Sequence, residues 1–291
     1  MSKKFFITTD STTDLSQELK AGLDIGILPL QYTLEDKEYA DDQTGLDSFA
    51  FYERVRKGAM PKTSMVNESQ AEEFFLKYTG SHDNILHIGF SSALSGSCDS
   101  YKAAAEKFNS QNPGKKIVVV DSKAASAGEG LLVYYATRMR DEGLTLDEAA
   151  AKLEELKHNV CHYFTVDNLF HLNRGGRVPR STAIIGTLLN IKPVLHVNPE
   201  GKLVALGKVM GRKKALASLV DRMEAKAKGM ENDVVFISHG DSEQDAKYVG
   251  GLIQERLGVK QVYYSMIGPV IGTHSGPGTI ALFFVGNGKA E

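Results

Sequence analysis

Short apolar runs alternate with longer stretches of helical spacing through the first half of the chain. Residues 4–9, 25–33 and 85–90 read as strands, and so does 116–120, a continuous apolar run closed by Asp121-Ser122. A run of that kind marks a parallel strand buried on both faces. Helical spacing appears over 47–57, where Phe49, Tyr52 and Val55 share a face, and over 68–78, with Ala71, Phe74, Phe75 and Tyr78. It returns over 97–108, 126–142 and 146–159. Strands alternating with helices predict a parallel sheet covered on both sides.

The second half is patterned differently. Strands are expected at 164–166, 192–197, 203–209, 234–238, 261–267 and 280–285, with helices at 213–227 and 242–257. The segment HVNPEGKLVAL places Asn198-Pro-Glu-Gly201 between two of these strands, as a hairpin turn would. The expected class is therefore α/β. A parallel-sheet α/β domain would occupy 1–165 and an α+β domain 166–291. A length of 291 residues agrees with two domains, at ~100–200 residues each.

Composition removes several function classes. Hydrophobic residues make up 42% and charged residues 24%, ordinary for a globular protein. A formal net charge of −2 offers no basic surplus, so no nucleic-acid partner is expected. The apolar stretch at Phe5-Phe6-Ile7 is too short for a signal peptide, and no run approaches the ~18 residues of a membrane span. Cys98 and Cys161 lack C-x-x-C spacing and read as reduced thiols. A cytoplasmic location follows as the expectation.

Four polar segments then stand out. FSSALSGSCDS (90–100) crowds serines where a strand hands over to a helix. In an open α/β sheet that position faces ligands, and a helix N-terminus there favours an anion. Ser95 supplies a hydroxyl, and Gly96 lets a ligand approach the backbone. Equally, one serine would N-cap the helix and the others fill the loop. Thr63 and Ser64, in PKTS (61–64), sit on an exposed connection between two predicted helices, and Ser64 could cap the second. His274 lies in IGTHSGPGTI (271–280), a loop whose glycines suit a positioned backbone. Arg174, Arg177 and Arg180 bracket two glycines, with a helix expected after Pro179; they form either a solvated basic loop or a cation site for an anionic ligand or partner.

Catalytic motifs are not matched. A nucleophile elbow around Ser95 needs glycines where Ala93 and Ser97 stand. GNGKA (286–290) lacks P-loop spacing, and no H-E-x-x-H is present. Asp10, Asp14, Asp41, Asp42 and Asp121 could meet at a metal only if the fold gathered them. A hydrolase or transferase acting on a small acyl substrate, with Ser95 and His274 as nucleophile and base, stays open as a second reading.

Taken in order, TTDSTTDL (8–15), PKTSMVN (61–67), FSSALSGSCDS (90–100), VDSKAASAGEG (120–130), NLFHLNRGGRV (168–178) and IGTHSGPGTIAL (271–282) resemble the DegV family over nearly the whole chain. The resemblance implies two α/β domains with a ligand tunnel between them. It implies a long-chain fatty acid such as palmitate or oleate as ligand and no cofactor. It further implies the role of lipid-binding subunit in a bacterial fatty acid kinase that feeds phospholipid synthesis. In such a system a separate ATP-binding subunit phosphorylates the carboxylate, and transient membrane contact is compatible with it. Thr63, Ser95 and Gly96 map onto the family's carboxylate site, with Ser64, Arg174 and His274 as the polar network around it. Met65-Val66, Ser97, Cys98 and Ala281 depart from the family's usual residues.

Overall fold

A computed structural model describes residues 5–42, 44–179, 190–230 and 232–290. In chain order the strands of the first half are β1 Phe6–Asp10, β2 Gly26–Leu28, β3 Gln31–Leu34, β4 Lys37–Ala40, β5 Lys62–Thr63, β6 Asn84–Gly89 and β7 Lys116–Asp121. Those of the second half are β8 Val160–Thr165, β9 Ile191–Val197, β10 Leu203–Met210, β11 Val234–His239, β12 Gln261–Met266 and β13 Ile280–Val285.

Three sheets result. The order β2-β1-β6-β7 forms an all-parallel four-stranded sheet. The order β10-β9-β8-β13-β11-β12 forms a six-stranded mixed sheet in which only β11 and β12 run parallel. A small antiparallel sheet, β4-β3-β5, stands beside them. The α/β class and the parallel first sheet are as expected from the sequence, and the 198–201 turn does join β9 to β10.

Several expected elements shift. Residues 25–33 do not make one strand: Pro29 separates β2 from β3, which belong to different sheets. Proline lacks the N–H a continuous ladder needs. The helix expected over 146–159 stops at Leu156, and the chain enters β8 at Val160 rather than at 164. Because β8 pairs with β9 and β13, the change of sheet precedes the division drawn at 165. Residues 62–64 are largely exposed, as expected, but they are not a plain connection, since Thr63 pairs with Tyr32 in the small sheet. Arg180 and the helix expected after Pro179 lie outside the described residues.

One helix, Ala127–Asp141, joins the halves. It packs on β1 and β6 of the first sheet and on β8, β11 and β13 of the second. Small residues permit that double burial: a Cβ on Gly128 would strike His162 and Phe283, and one on Gly130 would lie 2.9 Å from the Thr13 carbonyl oxygen. Leu131, Leu132 and Val133, fully buried, join Ile7 and Leu86 from the first half and Phe236 and Phe283 from the second in one hydrophobic cluster. The two halves therefore share a core, and a space is left between them.

Candidate functional site

That space is a cavity of about 300 Å³, at the lower end of the usual range for small-ligand sites. The carboxyl ends of the parallel strands open onto it through Thr12, Phe90 and Ser126. The second sheet supplies an apolar wall from alternate positions of β13, Ala281 and Phe283, with their cross-strand partners on β8, Phe164 and His162.

Four segments meet at one end. Thr63 Oγ1 lies 2.9 Å from His274 Nε2. His274 belongs to the helix Pro269–Ser275 rather than to a loop. The Arg174 guanidinium donates to the carbonyls of Pro61 (3.0 Å) and Thr273 (3.3 Å), tying together the segments that carry this pair. Arg177 Nε donates to Leu94 O at 3.2 Å and Nη1 to Gly175 O at 2.5 Å, anchoring the serine-rich turn. Both arginines are thus held by backbone carbonyls; Arg177 also lines the cavity, while Arg174 stays exposed.

The serines divide their work. Ser91 Oγ donates to Gly201 O at 2.9 Å, fastening the turn to the β9–β10 hairpin. Ser97 Oγ accepts the Val66 N–H at 3.1 Å and lies 3.1 Å from Ser95 Oγ. So Ser97 links the Thr63 segment to the Ser95 segment. No serine stands at the N-cap of the helix Ser97–Gln111, which is Gly96, but Ser95 Oγ accepts the Ser97 N–H at 3.3 Å. Nor does Ser64 cap the helix Glu68–Thr79; Asn67 does, in a capping box with Gln70. Thr63, Ser64, Ser95, Gly96 and His274 all line the cavity, and Met65 packs over Gly96. Arg174 does not line it.

The hydroxyls and the imidazole at this end are neutral, and the Arg177 guanidinium, which also lines the cavity, brings a positive charge beside them. Burial, reinforced by Arg177, Arg174 and His171, pushes the His274 imidazole down to about 3. The ring is therefore uncharged at neutral pH, with one nitrogen donating and the other accepting. Its Nδ1 has no hydrogen-bond partner, and the ring lies against Gly175, where a Cβ would collide with it. A serine-hydrolase arrangement does not form: Nε2 is bonded to Thr63 rather than Ser95, and no carboxylate orients Nδ1.

Behind the cavity lies a seam of buried acids. Asp14 accepts from Ser126 Oγ (2.5 Å) and from the Gly268 N–H (2.8 Å), and Ser126 also bonds Ser238 at 2.8 Å. Burial raises Asp14 well above the ordinary carboxylate range and pushes Asp41 up to about 7. Glu129, bonded by Thr9 and Thr12, is likewise raised by burial and by nearby Asp10. No metal-holding group of three or more His, Cys, Asp or Glu exists among the described residues.

Sequence reasoning missed Thr12, Ser126 and His162 as lining residues and Ser97 as the link. The first two sit in the quoted TTDSTTDL and VDSKAASAGEG segments, so motif position was a usable signal. His162, in an apolar strand, gave none.

Over residues 4–287 the chain matches the family model described as "Uncharacterised protein, DegV family". It is 43% identical over 288 residues to a DegV domain-containing protein of Clostridium perfringens, covering 99% of both chains. The chain belongs to the DegV family. Among solved structures it resembles a DegV lipid-binding protein of Thermotoga maritima, with a TM-score of 0.87 at 30% identity over 99% of this chain and 100% of that one. A DegV family protein of Thermus thermophilus, described as binding fatty acid, superposes with a TM-score of 0.87 at 31% identity, covering 97% and 99% of the two chains. No helix among the described residues is long and apolar enough to cross a membrane.

Proposed function

We propose that the cavity holds one long-chain fatty acid, such as palmitate or oleate. Its carboxylate would rest on Thr63, Ser95 and the Gly96 backbone, with His274 and Ser64 around it and Arg174 steadying their segments. The acyl chain runs along the apolar wall of the second sheet. The observation that carries this reading is the Thr63–His274 hydrogen bond at the polar end of a predominantly apolar cavity. The fatty-acid-binding relative of the same fold supports it.

Energetics favour a carrier. Burying ten methylenes contributes roughly 8 kcal/mol at ~0.8 each, whereas a hydrogen bond to a charged group contributes roughly 1.5–3 kcal/mol. The tail sets affinity, and the hydroxyls set where the head group stops. The hydroxyl donors hold a carboxylate without a direct ion pair, and the nearby Arg177 guanidinium is engaged by the Leu94 and Gly175 carbonyls, so the head group stays available to a second protein. We therefore read the chain as the lipid-binding subunit of a fatty acid kinase. It works in the cytoplasm without a cofactor or ATP site of its own and presents the carboxylate to a separate ATP-dependent subunit for acyl-phosphate formation, with transient membrane contact for loading. Segments of the first half supply Thr63, Ser95 and Gly96, and the second sheet, β8 included, covers the acyl chain.

Organic extraction of the purified protein and mass spectrometry test the ligand. One equivalent of a long-chain fatty acid is expected; a different class of molecule at one equivalent would overturn the reading. Addition of a bacterial fatty acid kinase ATP-binding subunit and ATP tests the second step, with acyl-phosphate as the expected product.

A further inference from the structure

The polar end of the cavity accounts for Thr63, Ser95 and His274, yet the opposite end carries a polar group of its own. Thr279, Ala281 and Phe283 line the cavity from alternate positions along β13 and its approach. At ~3.4 Å per residue, Phe283 stands about 14 Å beyond Thr279. Thr279 bonds the carbonyls of Ser275 and Gly276, beside His274. His162 pairs across the sheet with Phe283. It therefore marks the end remote from Thr63.

His162 is 3% exposed and lines the cavity. Its ring stands edge-on to Phe283, 5.0 Å between centroids, and lies against Gly128. Its Nε2 has no hydrogen-bond partner. Burial, with Lys289 and His196 nearby, holds the imidazole well below its ordinary range, so the ring is neutral. A neutral imidazole offers one donor and one acceptor, and a plain hydrocarbon tail satisfies neither. An unpaired buried polar group is costly, and a leucine or phenylalanine at this position would avoid that cost.

We propose that His162 is a specificity-determining residue that recognises an oxygen function, hydroxyl or oxo, on the distal half of the acyl chain. The preferred ligand is then an oxygenated long-chain fatty acid rather than a plain one. This rests on the fatty acid reading above and narrows its substrate class.

The test uses the full chain, delipidated, with a fluorescent fatty acid displaced by palmitic acid and by palmitic acids hydroxylated at successive carbons. At least one distally hydroxylated isomer should displace the probe about three- to tenfold better than palmitic acid, the worth of one hydrogen bond. His162→Phe should erase that preference, read as the ratio of the hydroxylated to the plain acid's affinity, and His162→Gln should keep part of it. If every isomer binds no better than palmitic acid, or the preference survives unchanged in His162→Phe, the assignment is wrong. If palmitic acid and all its hydroxylated forms fail to displace the probe, the fatty acid reading itself falls.

Discussion

Thr63 Oγ1 and His274 Nε2 are separated by 211 positions in the chain and by 2.9 Å in space. The small β4-β3-β5 sheet delivers one and a short helix of the second half delivers the other, so ligand affinity reports on how the two halves meet. If the pair acts as a unit, Thr63→Val and His274→Phe should not add. A double-mutant cycle on palmitate affinity should give a coupling of about 1 kcal/mol. Additive losses would mean that each residue meets the ligand separately.

Gly175 supports the same imidazole from behind. A methyl group there would occupy the space of the His274 ring, although the Gly175 backbone, at φ −74°, accepts alanine without strain. Gly175→Ala should therefore cost acyl affinity about tenfold with a modest change in melting temperature. Gly176→Ala differs in kind, because Gly176 sits at φ +71° with open space around it and loses only conformational ease. Isothermal calorimetry beside thermal melts separates the two.

Asp41 makes stability depend on pH. Folded Asp41 keeps its proton up to about pH 7, whereas the unfolded side chain releases it near 3.8. A raised folded value supplies stability that is complete below about pH 4 and is lost as pH rises through about 7. Asp14, Asp10, Ser11, Lys20 and the Val270 N–H surround the group and modulate the midpoint. The melting temperature of the wild type relative to Asp41→Asn should fall by several degrees between pH 4 and pH 7. A constant difference across that window would show that Asp41 ionises normally.

Ser95 should affect transfer more than binding. With the tail carrying most of the affinity, Ser95→Ala should weaken fatty acid binding by about tenfold. It should reduce acyl-phosphate formation by a kinase subunit considerably further, because the head group would no longer stop in one place. Equal losses in calorimetry and in turnover would contradict that division.

Local pattern in the sequence was enough for the parallel sheet, the helices at 48–56, 68–79 and 97–111, and the β9–β10 hairpin, because each is dictated by its own apolar period. It failed where a neighbour in space decides. Cys161 and His162 do not look like core strand residues, yet β8 is central to the second sheet and both are buried there. The pairing of Lys62 and Thr63 was missed because their partner, β3, was read as the tail of β2. At the site, Thr63, Ser95 and His274 were legible through motif resemblance. The tie made by Ser97 and the backbone anchoring by Arg174 and Arg177 depend on contacts between distant segments, which no local period encodes.

The central claim is tested most directly by a crystal structure of the protein with palmitate bound. The account predicts one carboxylate oxygen within hydrogen-bond distance of Thr63 Oγ1, the other near Ser95 Oγ and the Gly96 N–H, and the tail running past Ala281 toward Phe283 and His162. A carboxylate at the His162 end, or a fatty acid lying outside this cavity, would contradict it.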